Sequence, residues 1–211
     1  MSFLPKRDRL VAYLVLASLL LTGVAWLFDP GRDATAHAYP AEASFSGGRP
    51  AGGSFVLVDQ DGQPKTDGDF RGGWTLIYFG YASCADVCPT ELATMVGALD
   101  LLPEEVESDV SPVLISVDPE RDTPALLGEY VPQFHPRLTG LTGTPEQLGP
   151  VLQAYGVVAE KRYSGGSAEY SMDHSSFFYL LAPDGRLQAV FHPGLSPEAL
   201  AGGLSRRIAE S

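Results

Sequence analysis

With 211 residues and a formal charge of −12, from 26 acidic against 14 basic side chains, the chain has room for one well-cored domain plus additions. So acidic a surface repels nucleic acid phosphates and suits cationic partners or plain solubility, which sets nucleic-acid binding aside. Two cysteines are too few for a disulfide-stapled scaffold and leave the pair open to other chemistry.

Lys6, Arg7 and Arg9 precede an uncharged run from Leu10 to Phe28. That run is long enough to span a bilayer, and its basic flank predicts residues 1–9 inside and the bulk of the chain outside. A cleaved signal peptide is the rival, since Ala36-His37-Ala38 has the small-x-small form. The apolar run exceeds an ordinary signal core, and Asp29-Pro30 separates it from that point, so an uncleaved single-pass anchor over 10–28 is expected. So short a leader is not an organelle presequence, which points to a bacterial inner membrane with the domain in the periplasm. Residues 29–52 are rich in Ala, Gly, Pro and Ser and read as a flexible linker, with His37 solvated in it. The folded domain is expected over 53–211.

Ser54 to Val58 predicts a strand entering a tight hairpin at Asp59-Gln60-Asp61-Gly62-Gln63. Trp74 to Gly80 is aromatic and β-branched, the pattern of a buried strand. After it, Pro89-Thr90-Glu91 opens a helix whose apolar positions are Leu92, Met95, Val96 and Leu99. Glu104 to Ser111 reads as an acidic loop, and Pro112 to Val117 as a second buried strand. Thr123-Pro124 starts a helix reaching about Phe134, and Leu138 to Leu141 is a short strand. Thr144-Pro145-Glu146-Gln147 is a capping box for a helix ending at Tyr155. Val157 to Tyr163 is a strand leading into a Ser164-Gly165-Gly166-Ser167 hairpin loop. Strands Ser176–Leu181 and Leu187–Phe191 flank the turn Pro183-Asp184-Gly185-Arg186, and Ser196-Pro197-Glu198 opens the last helix, ending near Ile208. Alternation of strand and helix implies a parallel core, and the Pro183 to Arg186 turn adds an antiparallel pair, giving an α/β domain with an N-terminal hairpin extension.

Both cysteines lie at the first strand-to-helix junction, in Cys84-Ala85-Asp86-Val87-Cys88. With Pro89 at the first helical position, Cys88 falls about where an N-cap would, and free N–H groups and the helix dipole favour a thiolate there. A thiolate serves a soft metal or a disulfide reaction. The bland alternatives are a structural disulfide or two buried thiols acting as small hydrophobes. A dithiol at this point of a parallel sheet is the thioredoxin-like arrangement, and strand carboxyl ends are where ligands gather in such sheets.

The sequence resembles the Sco/SenC family, the copper chaperones of cytochrome c oxidase assembly. Four stretches carry the likeness: Tyr78-Phe79-Gly80-Tyr81-Ala82-Ser83-Cys84-Ala85-Asp86-Val87-Cys88-Pro89-Thr90, Ile115 to Pro124, Phe134 to Thr144, and Asp173-His174-Ser175-Ser176. Ala85 departs from the family's usual proline without removing a ligand. The resemblance implies that Cys84, Cys88 and His174 bind copper. Two thiolates and an imidazole form a soft set suited to Cu(I) and able to hold Cu(II), whereas structural zinc wants a fourth ligand. By itself, a single histidine beside a strand is more often structural.

Other candidates are read as weaker. His135 and His192 sit in loops beside prolines. Met172 can share a face with His174 but reads as core. Asp86 and Asp173 could tune the ligands or be solvated. Asp118, Arg121 and Asp122 read as a local ion-pair and cap cluster. Three functions compete. The first is a membrane-tethered copper chaperone serving the oxidase subunit that holds the binuclear copper centre, with other periplasmic copper chaperones or thiol reductases as further partners. The second is a thiol-disulfide oxidoreductase using Cys84 and Cys88 as its redox pair on that subunit's cysteines. Such enzymes usually carry Cys-x-x-Cys and a proline opposite it, and no proline lies between Pro150 and Pro183. The third, a thiol peroxidase, wants a threonine before its cysteine, and Thr90 follows the second one.

Overall fold

The computed structural model describes residues 52–163 and 169–211. The expected cytoplasmic segment 1–9, the anchor 10–28, all but Gly52 of the linker, and the 164–167 loop lie outside the described residues. Among the described residues no helix is long and apolar enough to cross a membrane.

The described chain opens on a hairpin of β1 (Val56–Asp59) and β2 (Pro64–Thr66). Asp59 closes it, its carboxylate accepting from the backbone N–H groups of Asp61 and Gln63 at 3.0 and 2.8 Å. A 3-10 turn at Asp67–Phe70 leads into β3 (Trp74–Gly80), which is buried at every position. Next come α1 (Val87–Asp100), α2 (Glu104–Glu107), β4 (Val110–Ser116) and α3 (Pro124–Tyr130) with its 3-10 continuation Val131–Gln133. They are followed by β5 (Thr139–Thr142), α4 (Pro145–Tyr155), β6 (Ala159–Tyr163), β7 (Tyr170–His174), β8 (Phe178–Leu181), β9 (Leu187–Phe191) and α5 (Pro197–Ala209).

Seven strands form one sheet in the order β2-β1-β5-β4-β3-β8-β9. The centre, β3-β4-β5, is parallel, and each strand outside it runs antiparallel to its inner neighbour. β6 and β7 form a separate two-stranded sheet. The parallel strands are buried at all but one position each in β4 and β5, because crossover helices cover both faces of such a centre. In the core, α1 packs on α5, α3 on β5 and α4 on β1. This is the expected α/β, thioredoxin-like arrangement with its N-terminal hairpin.

Three helix starts follow their local sequence. Thr123 Oγ1 accepts from Leu126 N–H at 3.2 Å, Thr144 Oγ1 from Gln147 N–H at 3.3 Å, and Ser196 Oγ from Ala199 N–H at 3.3 Å. Other boundaries move. The acidic loop at 104–111 contains the short α2 and the first residues of β4. β6 starts at Ala159 because Val157 is used to end α4: Gly156 takes φ 64° and Val157 N–H returns to Leu152 O at 2.8 Å. β8 starts at Phe178, since Ser175 to Phe177 carry the chain from the small sheet to the large one.

Candidate functional site

Gly80 ends β3 in a crowded spot. A Cβ there would lie 2.6 Å from the Tyr78 ring and 3.3 Å from Cys88 Sγ, so only glycine lets the cysteine sit against the strand end. The chain then turns, with Cys84 N–H donating to Tyr81 O at 3.3 Å, and α1 begins at Val87 with Asp86 as its N-cap. Cys88 is therefore inside the first turn and not at the cap, and Pro89 takes the third helical position. The proline still costs no hydrogen bond, because the first four N–H groups of a helix have no intrahelical partner. One of those groups, Cys88 N–H, donates to Cys84 Sγ at 3.4 Å. The sulfur of Cys84 thus occupies the helix N-terminus in place of a side-chain cap, and Asp86 itself makes no capping bond through its carboxylate.

This divides the two thiols. Burial opposes ionisation of Cys84, but the backbone N–H groups of Asp86 and Cys88 and the neighbouring Cys88 and Tyr81 side chains outweigh it, so its pKa falls below the ordinary thiol value. Cys88 goes the other way: it is fully buried, and burial together with the adjacent Cys84 raises its pKa and keeps it protonated. The helix N-terminus therefore favours ionisation of Cys84 and not of Cys88, because the helix starts at Val87, two residues earlier than Pro89 suggests.

His174, the last residue of β7, faces Cys88 with Nε2 3.3 Å from Sγ. Its Nδ1 lies 3.2 Å from Ser175 O, so the ring proton on Nδ1 is donated there and Nε2 keeps its lone pair toward the sulfur. Burial lowers the His174 pKa, which keeps the imidazole neutral. Tyr78 and Tyr81 hold the ring by edge contacts at 6.2 and 5.7 Å between centroids. Cys84, Ala85, Asp86 and Val87 face Met172, Asp173 and His174 across an open cleft of about 430 Å³. Among the described residues no three His, Cys, Asp or Glu side chains stand as a ready-made metal cluster. Cys88 and His174 are the pair in contact, with Cys84 beside them on the loop.

The remaining candidates separate. His135 Nδ1 accepts from Arg137 N–H at 3.0 Å in a local turn, and His192 rests on the Phe177 ring, so neither joins the cleft. Asp173 stays exposed at the rim of the cleft and pairs with Arg162 at 2.6 Å. Thr90 Oγ1–H donates to Asp86 O at 3.0 Å. Asp118, Arg121 and Asp122 do form a cluster. Asp122, fully buried, accepts from Ser116 Oγ–H at 2.7 Å and Ala82 N–H at 3.1 Å, tying the end of β4 to the cysteine loop.

Sequence reasoning missed Tyr81, Tyr170 and Glu91. A signal existed for Tyr170, which shares the alternating strand face of Met172 and His174. Glu91 lies one turn beyond Cys88 on α1, only 5% exposed; Oε1 accepts from Gly194 N–H at 2.9 Å, while Oε2 has no partner. Burial raises its pKa from the ordinary 4.5. A carboxyl with a raised folded-state pKa favours the fold below its unfolded pKa, and that contribution is lost as pH rises through the folded value. Glu91→Gln keeps the acceptor and removes the charge, so its stability relative to wild type should improve as pH climbs from about 4 to 8. Urea unfolding of both proteins at the two pH values checks this, and a constant difference would refute it.

A mixed sheet with a dithiol at the end of its central parallel strand and a histidine brought over it defines a thioredoxin-like domain built around two sulfurs and one imidazole. Residues 44–209 match the SCO1/SenC family model, and the chain belongs to that family. Protein SCO1 homolog 1, mitochondrial, from Arabidopsis thaliana is 39% identical over 167 residues, covering 79% of this chain and 50% of the relative. The chain thus spans half the length of that curated relative. The crystal structure of Arabidopsis thaliana ScoI with copper bound superposes with TM-score 0.72 at 39% identity, covering 76% of this chain and 99% of that one. The structure of Bradyrhizobium japonicum ScoI with copper bound gives TM-score 0.67 at 41% identity, over 74% of this chain and 98% of that one.

Proposed function

We propose that this protein is a copper carrier, loading one copper on Cys84, Cys88 and His174 and passing it to the subunit of cytochrome c oxidase that holds the binuclear copper centre. The observation that carries this is the 3.3 Å approach of Cys88 Sγ to His174 Nε2 at the mouth of an open cleft, with Cys84 Sγ on the adjoining helix N-terminus. Two sulfurs and an imidazole match Cu(I) and tolerate Cu(II). Copper here is cargo. Cys84 meets it first, as the more accessible and more readily ionised sulfur, and Cys88 gives up its proton when it joins. Neutral His174 offers Nε2 without losing a proton, and an open edge leaves room for a receiving ligand.

Anaerobic copper titration of the reduced protein followed by X-ray absorption tests the assignment. One copper per chain with two sulfurs in the first shell is expected, and a shell without two sulfurs would end the reading. The chain is proposed to sit in a bacterial inner membrane by its Leu10–Phe28 run, with residues 53–211 in the periplasm. A C-terminal reporter active only in the cytoplasm would overturn that placement.

A second reading rests on the unequal thiols. Cys84, the more readily ionised thiol, can attack a partner's disulfide once deprotonated, forming a mixed disulfide and releasing one partner thiolate; Cys88, losing its proton, then attacks Cys84 Sγ and releases the second. The partner gains two electrons and this protein keeps a Cys84–Cys88 disulfide. Such activity would prepare the oxidase subunit's cysteines for copper, so the two roles are compatible.

A further inference from the structure

His174 sits on a two-stranded sheet that, among the described residues, shares no ladder pairing with the main sheet, so pairing does not fix its distance from Cys88. Other contacts do. The Arg121 guanidinium lies over the Tyr170 ring at 4.0 Å and over the Tyr81 ring at 5.6 Å. Its Nη1–H donates to Tyr170 O at 2.8 Å, and its Nε–H is ion-paired with the Asp118 carboxylate. That carboxylate is 1% exposed and also accepts from the Tyr170 hydroxyl at 2.8 Å. Two residues on, Met172 N–H donates to the Tyr81 hydroxyl at 3.3 Å. Tyr170, Met172 and His174 alternate on one strand face, so holding the first two sets the third.

We infer that Arg121 is a positioning residue: clamped between Asp118 and Tyr170, it presses β7 onto the cysteine loop and holds His174 against Cys88. The inference rests on the reading of His174 as a copper donor. Arginine suits the place because a planar, always-charged guanidinium can stack on a ring and donate in its own plane together. The clamp differs in kind from the Arg162 to Asp173 ion pair on the same hairpin, whose side chains are 62% and 60% exposed and which solvent weakens.

Arg121→Met keeps the apolar stem and removes the stack and donors. In the reduced, copper-free full chain, amide exchange at Tyr170–His174 should quicken roughly tenfold or more while that of Ile77–Phe79 holds. Copper(II) affinity should fall roughly tenfold while Cu(I) affinity stays within about threefold, since two thiolates carry Cu(I). In a His174→Ala background the Arg121→Met effect on Cu(II) should vanish. Tyr170→Phe, a milder change, should move exchange and Cu(II) affinity in the same direction, and Arg162→Gln should move neither. Unchanged hairpin exchange, an undiminished Arg121 effect in the His174→Ala background, or an equal effect of Arg162→Gln would each overturn the inference. If His174→Ala alone leaves Cu(II) binding intact, the ligand assignment fails, and the copper-free exchange result shows separately whether the clamp exists.

Discussion

Cys84→Ala and Cys88→Ala should each abolish tight binding of one copper, because a lone thiolate with an imidazole cannot replace a two-sulfur set. Loss of an outer-shell partner commonly costs 10- to 100-fold in metal affinity, so loss of a direct sulfur donor should exceed roughly 100-fold. The two variants should part in stability. Cys88 has no exposure, and its Sγ packs against β3 beside Gly80, so truncation leaves a small void costing about 1 kcal/mol. Cys84 is half-buried on a loop, and its truncation should stay within about 0.5 kcal/mol of wild type. Equal loss of copper with unequal loss of stability would separate ligation from folding. The measurements are copper-to-protein ratio after desalting and urea midpoints of the copper-free proteins. Wild-type stoichiometry in either variant would reject the assignment.

Oxidation should close the site. Cys84 and Cys88 are four positions apart across the start of α1, with the Cys84 sulfur already against the Cys88 backbone N–H at 3.4 Å. A bridge between them requires Cα atoms within roughly 4.4–6.8 Å, a reach that a loop folded back onto the first helical turn can supply. Bridged sulfurs are no longer thiolates and lose their hold on metal, so the oxidised protein should take up little copper. The same geometry makes the pair exchangeable. Stabilising Cys84 as a thiolate favours the reduced form and makes the disulfide a better oxidant, as for other dithiols at helix N-termini. Mild dithiol reductant should therefore restore both free thiols and copper uptake together. The check is copper uptake with free-thiol counts before oxidation, after it, and after re-reduction. Tight copper binding by protein with no free thiol would place the metal elsewhere.

Much of this was written locally. The all-buried run Trp74–Gly80 made β3 legible, because a central parallel strand needs no polar face. The caps at Thr123, Thr144 and Ser196 were legible because each bond closes over three residues. The dithiol was legible as two soft donors at a strand-to-helix turn. The short α2 was not, since four residues carry no period to read.

The residue types and local spacings of the chain by themselves determined the core strands, the helix starts at Ser or Thr, and the candidate donors, but neither the short α2 nor β7, which carries His174. Tertiary structure alone decided which thiol ionises more readily, because that depends on where α1 takes its first turn and which sulfur then receives the free N–H. It alone joined Cys88 to His174 across 86 positions, Glu91 to Gly194 across 103, and Arg121 to Tyr170 across 49. The physical reason is range. Caps and turns satisfy backbone groups within three or four residues and so leave a mark in sequence, whereas contacts between distant segments exist only once sheet order fixes which strand ends meet.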